Sequence, residues 1–330
     1  MTEASPPLPR PAIEIGLAAA IVAVEGETPQ ILVAHHPDAE VPALPAGPFD
    51  PLAHRTFEVG LRAWVREQTG LALGYVEQLY TFGDRGRGAA AGDIGPHVVS
   101  VGYLALTRGL AGAAAPAGDA GFLPWYDFFP WEDWRTGQPA ILPAHILPQL
   151  KEWAGTPHAD DGQQIRALTR EERLRLCFGC DGSPWDEEKA LERYELLYEA
   201  GLVAEAARDG RPAALARASL PPLGKPLAYD HRRILATAIS RLRAKLKYRP
   251  VVFELMPERF TLTALQTSVE AITGRHLHKQ NFRRLVEATS LVEPTGEMMP
   301  TAGRPAALFR FRREVLQERP APGLRLGTRA

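Results

Sequence analysis

Apolar positions recur along this chain with two different periods, and the changes of period divide it into elements. Residues 13–24 (IEIGLAAAIVAV) and 30–36 (QILVAHH) are short apolar runs joined by a turn-like segment, the pattern of two strands. A loop punctuated by Gly and Pro follows over 41–54. The period then shifts: Phe57, Leu61, Trp64, Val65 and Leu71 predict an amphipathic helix over 57–69, stopped by Gly70. Strands are predicted again at 75–82 and 97–107, then an Ala/Gly/Pro-rich surface loop at 109–121 and a closing helix at 144–153. The order strand, strand, helix, strand, strand, helix implies an α/β layered domain.

The middle of the chain is more polar. Residues 155–182 read as a connector, 186–200 (DEEKALERYELLYEA) as a helix opened by acids, and 209–226 as a Pro/Gly-rich linker. Beyond it, 230–246 alternate Ile234, Leu235, Ala238, Ile239, Leu242 and Leu246 with basic residues at helical period. Thr263 and Gln266 have the spacing of a capping box, on a helix that turns Leu265, Val269 and Ile272 to a core and ends at Gly274. Four residues, 275–278, separate it from a helix over 279–288 that carries Lys279, Gln280, Asn281, Arg283 and Arg284 beside core positions Phe282, Leu285 and Val286. Helix, short turn and basic polar helix form the helix-turn-helix arrangement. Arg, Gln and Asn suit its second helix because they bridge base edges with paired hydrogen bonds. Strand patterns at 291–293 and 307–312 flank Gly303, Arg304 and Pro305, a wing that would bring Arg304 to phosphate or a minor groove.

Charge sharpens this division. The whole chain of 330 residues has a net charge of −1, but residues 221–330 hold 20 Lys and Arg against 9 Asp and Glu, leaving 18 against 30 before them. A +11 half after a −12 half points to a surface facing nucleic acid or an anionic membrane. Hydrophobic residues at 45% and charged ones at 23% exclude wholesale disorder. No apolar run reaches the roughly 18–20 residues of a membrane span, and no secretory signal is apparent, so a cytoplasmic location is expected. Cys177 and Cys180 form one C-x-x-C without a second pair, which reads as packing cysteines in a reducing compartment.

The segments LPAGPFD, VREQTGL, LYTFGDRGR and HVVSVGYLAL resemble the Nudix fold. Its box, G-x5-E-x7-R-E-U-x-E-E-x-G-U, needs several carboxylates on one helix face, because Mg²⁺ takes hard oxygen ligands while it polarises a diphosphate. Anchored on Gly70, the box places Arg55, Ala63, Trp64 and Gln68 where its key residues belong, and of the carboxylates Glu67 alone remains. No catalytic residue and no metal site are therefore expected, and hydrolase activity reads as lost; the alternative is an active hydrolase whose metal site is rebuilt on Glu58 or Asp84.

FTLTALQ, NFRRLVEA, LVEPTGE and GRPAALFRF resemble the DNA-binding half of the Nudix-related transcriptional regulators of NAD metabolism, of NadQ or NrtR type. What the resemblance implies is a Nudix-like α/β/α sandwich over 1–155, a connector with helical segments over 156–225, a winged helix over 226–320 and a basic tail over 321–330. It further implies a repressor of NAD biosynthesis genes. Such a repressor binds a double-stranded operator as a homodimer and responds to NAD, ADP-ribose or ATP in the former active-site cleft, with no catalytic cofactor. For that effector the candidates are Arg85 and Arg87 on the diphosphate, Tyr80 or Phe82 stacked on adenine, and Glu67 as a polar contact. For DNA they are Lys279, Gln280, Asn281, Arg283, Arg284 and Arg304.

Overall fold

A computed structural model describes residues 12–36, 38–88, 95–108, 119–156, 168–219, 221–301, 303–318 and 323–324. Strands β1 (Ile13–Glu25), β2 (Thr28–Val33), β3 (Ala46–Pro48), β4 (Tyr75–Phe82), β5 (His97–Leu106) and β6 (Gly121–Pro124) form one mixed sheet. Its order is β4-β5-β1-β2-β6, with β3 paired to the start of β1. β5 runs parallel to β1 from Ile13↔His97 to Val22↔Leu106. β1 is apolar at successive positions because both of its faces are covered. Leu17, Ala19 and Ile21 meet Leu61 and Val65 of helix α1 (Phe57–Thr69) on one face, while Ala18, Ala20 and Val22 join a larger core on the other. Thr56 caps α1 by accepting from the Val59 amide, and Gly70 ends it.

A π-helical turn at Leu142–Ile146 leads into α2 (Leu147–Ala154), followed by α3 (Arg170–Phe178), α4 (Ala190–Glu199), α5 (Ala204–Arg208) and α6 (Pro212–Leu215). The second helical layer over the sheet is α7 (His231–Tyr248), which packs on β1, β4, β5 and α4. This corrects the expected order, in which the helix after the last strand closes the sandwich. The layer is supplied by a helix that charge grouped with the DNA-binding half. The aromatic run after β6 fills the space between: Trp125, Phe128, Phe129 and Trp131 are all fully buried.

The C-terminal unit comprises α8 (Leu262–Thr273), α9 (Lys279–Thr289), the hairpin β7 (Val292–Met299) and β8 (Ala306–Phe311), and α10 (Val315–Glu318). Its core is Leu265, Val269, Ile272, Phe282 and Val286, as the periodicity predicts. The α8 cap differs from expectation. Thr261 accepts from the Ala264 amide at 3.1 Å, and Thr263 lies inside the helix. Phe260 makes a single antiparallel bridge to Phe309 at the edge of the hairpin. β3 and α6 fall in stretches read as loop or linker, where Gly and Pro mask elements this short, and β6 and α5 fall almost wholly where the sequence predicts no element. The loop expected at 109–121 lies outside the described residues up to 118. Of the tail, Leu324 is buried and donates its amide to Leu246 O. Among the described residues no helix is long and apolar enough to cross a membrane.

Candidate ligand cavity and nucleic-acid interface

The start of β1, strand β3, the loop after β4 and the first turn of α7 enclose a cavity of about 940 Å³. Phe82 forms one wall at 7% exposure, and Arg85 and Arg87 come from the loop. The cavity thus brings together three of the five residues expected there. Tyr80 and Glu67 do not line it and are exposed, Tyr80 on β4 at 61% and Glu67 on the solvent side of α1.

The two arginines differ sharply. Arg85 is exposed, with no hydrogen bond or ion pair among the described residues. The Arg87 side chain is only 11% exposed. Its guanidinium lies 3.8 Å over the Tyr198 ring and pairs with Glu195 at 2.8 Å and Asp230 at 3.4 Å. Gly88 makes this closeness possible: its φ is +76°, and a Cβ there would stand 3.0 Å from the Asp230 amide. Arg233 of α7 completes the cluster, donating to Asp84 at 2.6 Å and pairing with Glu195 at 2.7 Å and Asp230 at 3.2 Å. Burial pushes the Asp230 carboxyl up to about 6 against the pull of Arg87 and Arg233. The hydrogen bond from Arg233 holds Asp84 below its ordinary value.

Periodicity did not find Tyr229, Asp230 and His231, which line the same cavity. Tyr229 has a left-handed backbone, φ +53°, and its hydroxyl is 2.9 Å from His36 Nδ1. His231 is buried, accepts from the Leu44 amide at 3.0 Å and titrates at about 3 because burial disfavours its charge. The signal available was positional: these residues immediately precede or open a helix, where polar side chains cap or bind.

On α1, Trp64 Nε1 donates to Pro48 O at 2.8 Å, and Gln68 exchanges hydrogen bonds with the Ala46 backbone. Trp64 is a packing residue, as its place in the box suggests. Glu58 pairs with Arg62, and Asp84 with Arg233. Among the described residues, no three His, Cys, Asp or Glu side chains are grouped as a metal site requires. Both cysteines are free thiols whose titration burial pushes up.

In the C-terminal unit, α9 turns Phe282 and Val286 inward and leaves Lys279, Gln280, Asn281, Arg283 and Arg284 exposed together. Arg304 is exposed in the turn between β7 and β8. The other arginines of the hairpin are engaged, Arg310 with Glu293 and Arg312 with Glu318, each at 2.6 Å. His276 in the helix-turn-helix turn bonds Glu270 at 3.2 Å.

Residues 252–311 match the family described as the NrtR DNA-binding winged helix domain. The winged helix is of the NrtR type. A curated relative, the "ADPR responsive transcriptional repressor NtrR" of Acinetobacter baylyi, is 42% identical over 85 residues, 26% of this chain and 34% of that one. The chain therefore covers about a third of the length of the relative it matches. The overall fold is that of Shewanella oneidensis NrtR. Its crystal structure with a 27mer DNA gives a TM-score of 0.53 at 19% identity over 92% of this chain and 95% of that one. Its structure without DNA gives 0.52 at 19% identity over 91% and 95%.

The NrtR-type winged helix is seated firmly on the sandwich. Gly274, at the end of α8 with φ +70°, lies so close that a Cβ would meet Glu132 O at 2.3 Å. Its carbonyl accepts from the Trp134 amide at 2.7 Å, and Tyr126 Oη donates to Ala271 O at 2.7 Å. Beneath them the fully buried Glu132 bridges Arg193 of α4 and Arg243 of α7, and Arg243 Nε donates to Ile272 O at 2.9 Å. Much of the charge imbalance read from sequence is thus spent inside the molecule. Arg232, Arg233, Arg243, Lys245 and Lys247 all face carboxylates of the acidic half, whereas among the described residues the basic side chains of α9 and Arg304 of the wing stay exposed.

Proposed function

We propose that this protein is a transcriptional repressor of NAD biosynthesis genes that binds operator DNA as a homodimer and responds to ADP-ribose held in the cavity. The observation that carries the reading is the NrtR-type winged helix with five polar and basic side chains exposed on one helix. Two-fold pairing of such helices would read half-sites about one DNA turn apart. ADP-ribose is favoured over NAD and ATP by the name of the Acinetobacter relative. A cavity of about 940 Å³ with Arg85 and Phe82 on its wall suits an adenine-bearing diphosphate. The sandwich acts as a sensor and not as a hydrolase, because Trp64 and Gln68 are tied to backbone where the box requires carboxylates.

Calorimetry with ADP-ribose, NAD and ATP, and gel shifts on upstream regions of NAD biosynthesis genes, test this. ADP-ribose is expected to bind in the absence of metal, and the DNA to shift in a salt-dependent way. Release of AMP from ADP-ribose with excess Mg²⁺, abolished in Glu67→Gln, would overturn the sensor in favour of the hydrolase.

A further inference from the structure

One helix touches both sites. At its first turn α7 holds Arg233 among Asp84 of the cavity loop, Glu195 of α4 and its own Asp230. Ten residues later, about 15 Å along the helix, Arg243 holds the last turn of α8 through Ile272 O and Glu132. The junction entering α7, Tyr229, has the left-handed backbone that non-glycine residues adopt only where their surroundings impose it. An anion bound at Arg85 and Arg87 arrives beside Asp84 and Asp230, so it competes with those carboxylates for the guanidinium groups that fix the start of the helix.

We propose that Arg233 is the positioning residue that couples the cavity to the winged helix: an anionic ligand loosens Asp84 from Arg233 and so lets α7 carry α8 and α9 to a new placement. The proposal rests on the ADP-ribose-responsive reading above. Coupling of this kind is reciprocal, so DNA must alter nucleotide affinity by the factor by which nucleotide alters DNA affinity.

The test is ADP-ribose affinity by calorimetry with and without a duplex that the wild-type chain selects from a randomised pool. Wild type is expected to show a ratio of about fivefold or more. In Arg233→Gln and Asp84→Asn the ratio falls toward one while both ligands still bind, and Arg233→Lys recovers part of it. Arg241→Gln, on the same helix but only 3.9 Å from its partner Glu77, keeps the wild-type ratio. If Arg233→Gln does not fold, Asp84→Asn decides, since that side chain is 54% exposed. Ratios within twofold of wild type in the variants would overturn the proposal, as would an equal loss in Arg241→Gln. A wild-type chain that binds DNA but not ADP-ribose would instead overturn the reading beneath it.

Discussion

Glu132 and His231 show how single buried groups set the behaviour of this chain. Glu132 is wholly buried between two guanidinium groups that hold its carboxyl below the ordinary range, although burial alone would raise it. Glu132→Gln leaves two buried cations short of one charge, a change that costs about 3–5 kcal/mol when a buried pair is broken. Urea unfolding is expected to show that loss. His231 works in the opposite sense. Its value of about 3 in the folded protein lies below the ordinary 6.5, so its stabilising contribution is complete above about pH 6.5 and is lost as pH falls toward 3. By about pH 5 the loss amounts to roughly 2 kcal/mol. His231→Gln, whose amide oxygen can still accept from Leu44, should flatten the fall in melting temperature between about pH 7 and pH 5. Neither residue was legible in the sequence, because a charge or an imidazole carries no local mark of the partner that will enclose it.

Elements whose signals are local were legible. α1, α9 and the strands β1, β4 and β5 fall close to where apolar period and glycine stops put them, since those signals lie within one or two turns of chain. The α8 cap shows the limit. Thr263 has the polar Gln266 three residues on, whereas Thr261 has Ala264 there, yet backbone geometry selects Thr261. Thr261→Ala is expected to destabilise the protein by about 1 kcal/mol and Thr263→Ala by less, measured side by side in urea. α7 is the larger lesson. Its apolar face was clear, but a periodic face states that it will be buried without stating against what, and its basic residues drew it toward the wrong half. In the candidate cavity, Arg85, Arg87 and Phe82 were found because a Gly-rich turn after a strand is a local feature. Tyr229, Asp230 and His231 reach it from a residue separation of more than 140 positions, which no local pattern encodes.

At the scale of the molecule, the exposed basic side chains of α9 and the wing make two kinds of DNA contact separable. Arg283→Ala or Arg284→Ala should each cost about 1–3 kcal/mol of operator affinity if the side chain reads a base edge, with relaxed specificity at one position. Lys279→Ala or Arg304→Ala, if they hold phosphate, should instead weaken all duplexes alike and reduce the slope of log K against log salt by about one. Fluorescence anisotropy over a salt series on matched and mismatched duplexes distinguishes them. The seat of the winged helix also has an optical consequence. Trp125 and Trp131 are fully buried in the run that ends there. Trp134 lies 4.5 Å from Trp185, ring to ring and tilted, and its amide donates to Gly274 O. Four of the six tryptophans of the chain therefore lie at or near one joint, and their emission reports its packing without any attached dye.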